Sequence, residues 1–180
     1  AAQAVYGDFV INHKPVISDK VYCVELNWQN SGKAIFDGEE YALGSNLLPN
    51  SNISICLFTY NGSSGITSYN FIGRIYSAKI SKDTEIVRNL VPALDPNNRP
   101  CMFDTVTSTP LYNQGTGEFL YKVISPETAY IPVNFTRGGY LESNGTQYID
   151  TGIYLSNESE VRCEYELEQG TFTGYLYGAC

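Results

Sequence analysis

Short runs in which apolar and polar residues alternate recur along the chain, and turn residues separate them. The segments "KVYCVELNW" (20–28) and "FIGRIYSAKI" (71–80) are two such runs. A period of two places successive side chains on opposite faces of a β-strand. No stretch shows the 3.6-residue spacing of an amphipathic helix. The pattern therefore predicts an all-β fold, an antiparallel β-sandwich.

Turn residues predict where individual strands end. Asp37-Gly38 separates two β-forming runs within residues 33–43, which is the signal of a hairpin closed by a type I′ turn. A second hairpin is expected in "TPLYNQGTGEFLY" (109–121), because glycines interrupt its middle. The segment at 81–94 is expected to be extended, and Pro92 and Pro96 are expected to end it.

Composition limits the possible partners. Apolar residues make up 43% of the 180 residues, which is enough for one sizeable core, and the chain is short for two domains. The formal net charge is −8, so nucleic acid and acidic membrane surfaces are not expected as partners. No apolar run is long enough to span a bilayer, and membrane insertion is not expected.

Five cysteines and one histidine limit disulfide and metal chemistry. An odd number of cysteines argues against a complete disulfide framework. Cys23, Cys56 and Cys163 lie in alternating patterns and are expected to be small buried hydrophobes. Cys101 and Cys180, in loop or terminal contexts, remain open to pairing or reaction. Without a C-x-x-C motif, an ordinary zinc site is not expected.

Two separate motifs resemble one known family. "YLESNGTQYIDTGIYLSNESEV" (140–161) is similar to the N-terminal strands of LamG-like, concanavalin A-like jelly rolls, which are common in phage tail and bacterial surface proteins. "GRIYSAKI" (73–80) and "FDTVTSTPLYNQGTGEF" (103–119) resemble the C-terminal part of the same domain. The resemblance implies a concanavalin A-like jelly roll.

The order of these motifs departs from the family. The strands that come first in the family correspond to residues 139–180 here, and they follow the strands that come last, at 105–121. We therefore divide the chain into residues 1–121, called the body, a linker at 122–138, and residues 139–180, called the tail. Placing the tail before the body gives one whole domain, so the chain holds either one domain in permuted order or two partial domains from a tandem array.

The tail carries more apolar strand than it can bury alone. Its 42 residues cannot form an independent core, and burying each large apolar side chain is worth roughly 1.5–3 kcal/mol. The body without the tail would expose open sheet edges. The tail is therefore expected to complete the sheet of its own chain or of a neighbouring copy. The residues expected to carry this docking are Tyr148, Ile149, Ile153, Tyr154, Val161, Cys163, Tyr165 and Leu167.

The linker bears on which of these two routes the tail follows. Its 17 residues permit both, but typical connections in compact domains have about 4–6 residues, which favours docking into a neighbour. Docking of that kind is head-to-tail strand complementation and builds a filament. Copies of the same chain are then the expected partners, in an extracellular, cell-surface or virion location. The alternative is a lectin-like monomer that folds in cis and binds glycans.

No catalytic arrangement is expected, and the chain is not expected to be an enzyme. Glu164, Glu166 and Glu168 alternate along "EYELEQ", which is typical of a solvated strand face. Their spacing differs from the E-x-D-x-x-E motif of the β-jelly-roll glucanases. His13 stands apart from any pattern of a serine or cysteine nucleophile.

Two kinds of binding site remain open from the sequence. The oxygens of Asp95, Asn97 and Asn98, or those of Asp83 and Glu85, are compatible with a loop calcium ion, although turns favour the same residues. No other cofactor is expected. Sugar rings stack on exposed aromatic side chains, but tyrosine is also common in strands for packing reasons. The candidates for sugar stacking are Trp28, Tyr60, Tyr69, Tyr112 and Tyr130.

Overall fold

Every regular element in the described part of the chain is a β-strand, apart from a 3₁₀ position at Gln29. The structure is a computed structural model of the chain. It describes residues 5–6, 9–10, 20–29, 32–42, 52–62, 65–66, 71–123, 131–167 and 176–178. Within these ranges all strand pairings are antiparallel. The predicted all-β, antiparallel fold class is confirmed.

The strands join into a ten-stranded sheet, called the large sheet, a three-stranded sheet, called the small sheet, and two short ribbons. In chain order the strands are β1 (Val5–Tyr6), β2 (Phe9–Val10), β3 (Tyr22–Asn27), β4 (Lys33–Phe36), β5 (Glu39–Ala42), β6 (Ser54–Leu57), β7 (Asn61–Gly62), β8 (Gly65–Ile66), β9 (Ile72–Lys82), β10 (Glu85–Leu94), β11 (Pro100–Asp104), β12 (Thr109–Tyr112), β13 (Leu120–Val123), β14 (Thr136–Asn144), β15 (Ile149–Tyr154), β16 (Ser159–Leu167) and β17 (Tyr177–Gly178).

One apolar core lies between the two sheets. The large sheet runs β12-β11-β10-β14-β9-β16-β3-β4-β5, with β13 paired to β14, and the small sheet runs β15-β6-β17. Alternate residues of β3 and β9 point inward, such as Val24, Leu26, Ile75 and Ile80, and they share one cluster with Leu57 of the small sheet. Burial of one face of each strand is what the alternating sequence pattern specifies.

The predicted turn at Asp37-Gly38 is confirmed. It joins β4 to β5, and Phe36 pairs with Glu39 directly across it. Both turn residues have positive φ, 49° for Asp37 and 85° for Gly38. A type I′ turn requires positive φ at both central positions, and its backbone twist matches that of the flanking strands.

The predicted hairpin within residues 109–121 is wrong. β12 pairs with β11, and β13 pairs with β14 of the tail. The intervening residues 113–119 pack against another loop instead of closing a tight turn. The glycines that indicated a hairpin therefore serve a close approach between two loops.

The segment predicted to end at Pro92 and Pro96 does stop before Pro96, because β10 ends at Leu94, but Pro92 lies inside that strand. Pro92 pairs with Met102 of β11 on one edge. On the other edge, pairing with β9 stops at Leu90 and pairing with β14 starts at Ala93. Proline has no N–H to donate, so it is tolerated in a strand where a neighbour is missing.

Cys101 is also placed differently from its predicted loop context. It lies in β11, is fully buried, and its Sγ is 3.5 Å from the carbonyl oxygen of Ala93. Burial raises the pKa of the Cys101 thiol to about 12, which leaves it unreactive at neutral pH. Cys180, the other cysteine that the sequence left open to pairing or reaction, lies outside the described residues. Cys56 and Cys163 are buried, as expected, whereas Cys23 is only partly buried.

A second, smaller apolar cluster covers the other face of β10 and β11. It contains Val91 and Phe103, and Ile131 and Phe135 of the linker pack against it. The rings of Phe103 and Phe135 lie 4.8 Å apart between centroids. The C-terminal part of the linker is thus held on the large sheet by apolar contacts, rather than running free between body and tail.

We expect Phe135→Ala to reduce the free energy of unfolding by about 2 kcal/mol, roughly half the cost at a fully buried phenylalanine. The matched control is Val133→Ala, two residues away, whose side chain is fully exposed. That control is expected to change stability by less than about 0.5 kcal/mol. Urea unfolding followed by fluorescence measures both, and equal effects of the two variants would contradict the packing of the linker on the sheet.

Candidate functional site

Tail strands flank a body strand on both sides in the large sheet. β9 pairs with β16 along nearly its whole length, from Lys82 opposite Ser159 to Gly73 opposite Leu167. Its other edge pairs first with β10 of the body and then, from Ile75 onward, with β14. β14 begins at Thr136, within the predicted linker, and its first residues pair with β10, whereas its tail residues pair with β9. β14 therefore fills the fork where β9 and β10 diverge.

β16 also connects two parts of the body. Its second edge pairs with β3, from Glu160 opposite Asn27 to Tyr165 opposite Tyr22. Among the described residues, β3, β4 and β5 join the rest of the large sheet only through β16. Removing β16 would divide the large sheet into two separate pieces.

The small sheet repeats the same arrangement. Its central strand β6 belongs to the body, and its two neighbours, β15 and β17, belong to the tail. Thr151 Oγ1 donates a hydrogen bond to the carbonyl oxygen of Ile55, at 2.8 Å. Arg88 Nε donates to the carbonyl oxygen of Thr151, at 3.2 Å, which ties β15 to β10 of the large sheet. Tail and body thus interdigitate in both sheets.

The eight tail residues predicted to carry docking do not all face the core. Tyr148 is half-buried, and Ile153 is half-buried against the core. Tyr154 is 52% exposed, because it lies on the outward face of β15. The other five are buried, with at most 7% exposure: Ile149, Val161, Cys163, Tyr165 and Leu167.

A polar cluster on the outer face of the large sheet joins the two tail strands to β9. Arg74 Nε donates to Glu142 Oε2 of β14, at 2.5 Å, and Arg74 Nη1 donates to Glu166 Oε1 of β16, at 2.8 Å. The hydroxyl of Tyr76 donates to Glu166 Oε2. The guanidinium also lies over the ring of Tyr140, 4.8 Å from its centroid. We call these five residues the Arg74 cluster.

Burial and mutual contacts shift the ionisation of this cluster. The hydrogen bond to Glu142 raises the pKa of Arg74 further above its ordinary value. Burial, followed by the hydrogen bond to Glu166, raises the pKa of Tyr76 to about 12. Arg74 therefore stays protonated, and Tyr76 remains a hydrogen-bond donor at neutral pH.

The prediction that the acidic residues of β16 form a solvated face is wrong for Glu166, which is buried. Glu164 is half-exposed, and Glu168 lies outside the described residues. The reason is that Arg74 and Tyr76 of the neighbouring strand satisfy both oxygens of Glu166. Period-two acids show which face a strand presents, but they do not show what lies opposite on the next strand.

The two loops that carry the family-like motifs are joined directly. Thr116 N donates to the carbonyl oxygen of Thr146, at 3.0 Å, and Thr146 Oγ1 donates back to the carbonyl oxygen of Thr116, at 2.9 Å. Tyr148 N donates to Asn113 Oδ1, at 3.1 Å. The buried Gln147 reaches the carbonyl oxygen of Glu118. The end of the body and the start of the tail thus form one continuous seam.

Three of the predicted sugar-stacking residues, Trp28, Tyr60 and Tyr112, lie in the described part of the chain, and each is buried or half-buried. Trp28 is 3% exposed, so its ring is not open to a ligand from solvent. Tyr60 is half-buried, and Tyr69 and Tyr130 lie outside the described residues. The ring of Tyr112 is covered by the guanidinium of Arg99, 4.2 Å from its centroid.

The loop around Asp95 is closed by its own hydrogen bonds. Asp95 Oδ1 accepts from the backbone N–H groups of Asn97 and Arg99, and Oδ2 accepts from the hydroxyl of Tyr112. The bond from Arg99 is the main cause that lowers the pKa of Asp95. Across the described ranges, no group of three His, Cys, Asp or Glu side chains is placed to hold a metal. A loop calcium site that includes the amide of Asn98 stays a prediction.

A small open cleft lies beside this loop. Its volume is about 170 Å³, and it is lined mainly by polar groups. Arg99 and Glu118 bring opposite charges to it, and Gly115 and Gly117 expose backbone. Such a cleft suits a small, polar and uncharged ligand better than an apolar one.

No family model, curated protein or solved structure matches the chain. The likeness to LamG-like domains therefore rests on the two sequence motifs, and the jelly-roll topology stays a prediction. The described residues include no helix of the length and apolar character needed to cross a membrane.

Because the two loops of the seam approach each other closely, we expect a methyl group at Gly115 to destabilise the fold strongly. A Cβ there would stand 2.1 Å from the backbone oxygen of Thr146, so one of the two loops must move. We expect Gly115→Ala to lower the free energy of unfolding by about 3 kcal/mol, the upper end of overpacking effects. The control, Gly38→Ala, has open space but a φ of +85°, and should cost about 1 kcal/mol. Urea unfolding of both variants checks this, and an equal cost would show that the seam can relax.

Proposed function

We propose that the chain is a non-enzymatic structural or adhesive subunit that assembles head to tail, the tail of one copy completing the sheets of the next. The observation behind this proposal is that tail strands flank body strands on both sides, β9 and β6, in the two sheets; in the single chain described, its own tail supplies these strands. A body without any tail would leave these edges unpaired. Unpaired edges are filled by the same chain or by another copy.

Exchange between copies keeps every contact described above. Each body would receive β14 to β17 from a neighbour, in the same register, so the change concerns only the covalent connection. That connection runs from Val123 of β13 to Ile131, where the linker packs on the body. Because each copy gives its tail to one neighbour and receives one from another, the contact is heterologous and extends into a filament.

We further propose the concanavalin A-like jelly roll in permuted order, in an extracellular, cell-surface or virion protein. Two neighbour relations support the permutation. β13 pairs with β14, and β1 lies against β17. Breaking the linker and joining β17 to β1 would restore the order of the family without moving a strand.

The Arg74 cluster supports a non-enzymatic role. Glycoside hydrolysis uses two carboxyl groups that face each other across a cleft with room for the sugar. Glu142 and Glu166, whose side chains are 14% and 9% exposed, both bind Arg74, which lies between them. Their oxygens are engaged in holding strands together.

The state of assembly of the purified chain tests the proposal. We expect species larger than 20 kDa in size-exclusion chromatography with light scattering, and short filaments in negative-stain images. Their size should grow with protein concentration, because each added copy creates one new contact. A clean monomer that persists to high concentration would contradict the exchange.

Removing the tail tests whether it completes the fold. A chain ending at Gly138 should aggregate, because the edges of β9, β3 and β6 are left open. Residues 139–180, added as a separate peptide during refolding, should restore solubility and a cooperative unfolding transition. A soluble, cooperatively folded truncated chain would contradict strand complementation by either route.

The cleft beside Asp95 favours a second candidate function, that of a carbohydrate-binding module. Its guanidinium, carboxylate and backbone groups match the donors and acceptors of sugar hydroxyl groups. A glycan array is expected to show weak hits, lost in Arg99→Met and retained in the exposed control Arg162→Met. An array without hits would remove this candidate.

A further inference from the structure

We propose that Arg74 is the specificity-determining residue of tail docking, and that it selects, in a second copy of this chain, strands that present carboxylates at positions 142 and 166. This inference rests on the proposed exchange between copies. It goes beyond it by naming the contact that distinguishes the correct tail, in the correct register, from any other β-strand.

The register of the sheet places the three charged residues in one row. Glu142 lies directly opposite Arg74 on one edge of β9, and Glu166 lies directly opposite it on the other edge. The two hydrogen bonds from the guanidinium follow from this placement. One side chain of the body, that of Arg74, therefore binds a carboxylate on each of two tail strands.

Apolar burial alone cannot set the register of β16. The inward residues of β16 are apolar at four successive alternate positions, from Val161 to Leu167. A slip of two residues would still bury apolar groups, because the period of a strand is two. It would also present Glu164 or Glu168 in place of Glu166, so the contact that depends on register is the one with β14. There the same slip would place Tyr140 or Asn144 opposite Arg74 instead of Glu142, and it would also move the buried Leu141 out of the core. On β14 the polar row and the core therefore select the same register.

Burial makes a mismatch at this row costly. The side chains of Glu142 and Glu166 are 14% and 9% exposed, and that of Arg74 is 31% exposed. Without the guanidinium, two carboxylates would share a partly dry site, and without them the guanidinium would lose its partners. Such pairs add little net stability over apolar residues, but breaking one side is strongly unfavourable. That asymmetry is how specificity against wrong partners arises.

A neutral substitution in the full-length chain tests the cluster itself. We expect Arg74→Met to lower the melting temperature by about 10 °C. The control is Arg162→Met, at an exposed arginine on the same sheet face, which should shift it by less than about 2 °C. A chain that carries Arg74→Glu together with Glu142→Lys and Glu166→Lys has the same cluster with reversed charges. It should recover at least half of the melting temperature that Arg74→Glu alone loses. The inference is overturned if Arg74→Met lowers the melting temperature no more than the control does, or if the charge-reversed cluster recovers none of the lost melting temperature.

Mixing two full-length variants tests selection between copies. One chain carries Arg74→Glu and has an intact tail, and the other carries Glu142→Lys with Glu166→Lys and has an intact body. Neither can form a matched cluster within itself. The two chains carry different affinity tags and are refolded together, and we expect them to co-purify. Arg74 in the body of the double-lysine chain would bind the unchanged glutamates in the tail of the Arg74→Glu chain. The glutamate at position 74 would in turn bind the two lysines, with the charges reversed. The mixture should melt at least 5 °C above either variant alone, on the scale of the loss expected above.

The outcomes separate the inference from the proposed function. If the reversed cluster restores stability within one chain but the mixture neither co-purifies nor gains stability, then selection of a second copy is overturned, together with exchange. If wild-type chains assemble but substitutions at Arg74 leave their assembly and melting unchanged, then exchange stands and the role of Arg74 is overturned. Co-purification with the expected gain supports both.

Discussion

The structure depends on the pairing of β9 with strands that come from the other end of the described chain. β16 holds one edge of β9 and carries β3, β4 and β5 on its own second edge, so the continuity of the large sheet passes through it. β14 fills the fork between β9 and β10. The small sheet depends in the same way on β15 and β17 around β6. Neither the body nor the tail holds a complete core.

Two kinds of interaction divide the task of joining these parts. The apolar residues of the tail, such as Ile149 and Val161, supply most of the driving force because they leave water entirely. The outer face contributes little net energy, but Arg74 binds one carboxylate on each neighbouring strand, Glu142 and Glu166. On β14 only Glu142 offers a carboxylate at this row, since Tyr140 and Asn144 stand two residues away on either side. Driving force and specificity therefore lie on opposite faces of the same sheet.

The sequence predicts local features of this fold better than distant ones. Alternation identifies the strands, and Asp37-Gly38 identifies its turn, because both are decided by neighbouring residues. The false hairpin at 109–121 depends on residues further along the chain, because β13 pairs with β14 and the loop 113–119 bonds to residues 146–148. Cys101 pairs with strands close in sequence, β10 and β12, but the turn-forming residues before it concealed the strand. Arg74 was not recognised as a functional residue, although an arginine within "GRIY" is an unusual charge in an apolar run. Its meaning requires knowing that Glu142 and Glu166 lie on the two neighbouring strands, which no local pattern shows.

The wide separation of paired strands has a consequence during synthesis on the ribosome. β3 pairs with β16 across more than a hundred residues of chain, Asn27 lying opposite Glu160. Until β16 has emerged from the ribosome, β3 and β9 lack the strand that pairs between them, and their apolar faces are not fully covered. Non-local pairings of this kind make folding slow, since the loop must close before any contact is gained. The nascent body therefore passes through a period in which these strand edges are unpaired and open to association with other strands.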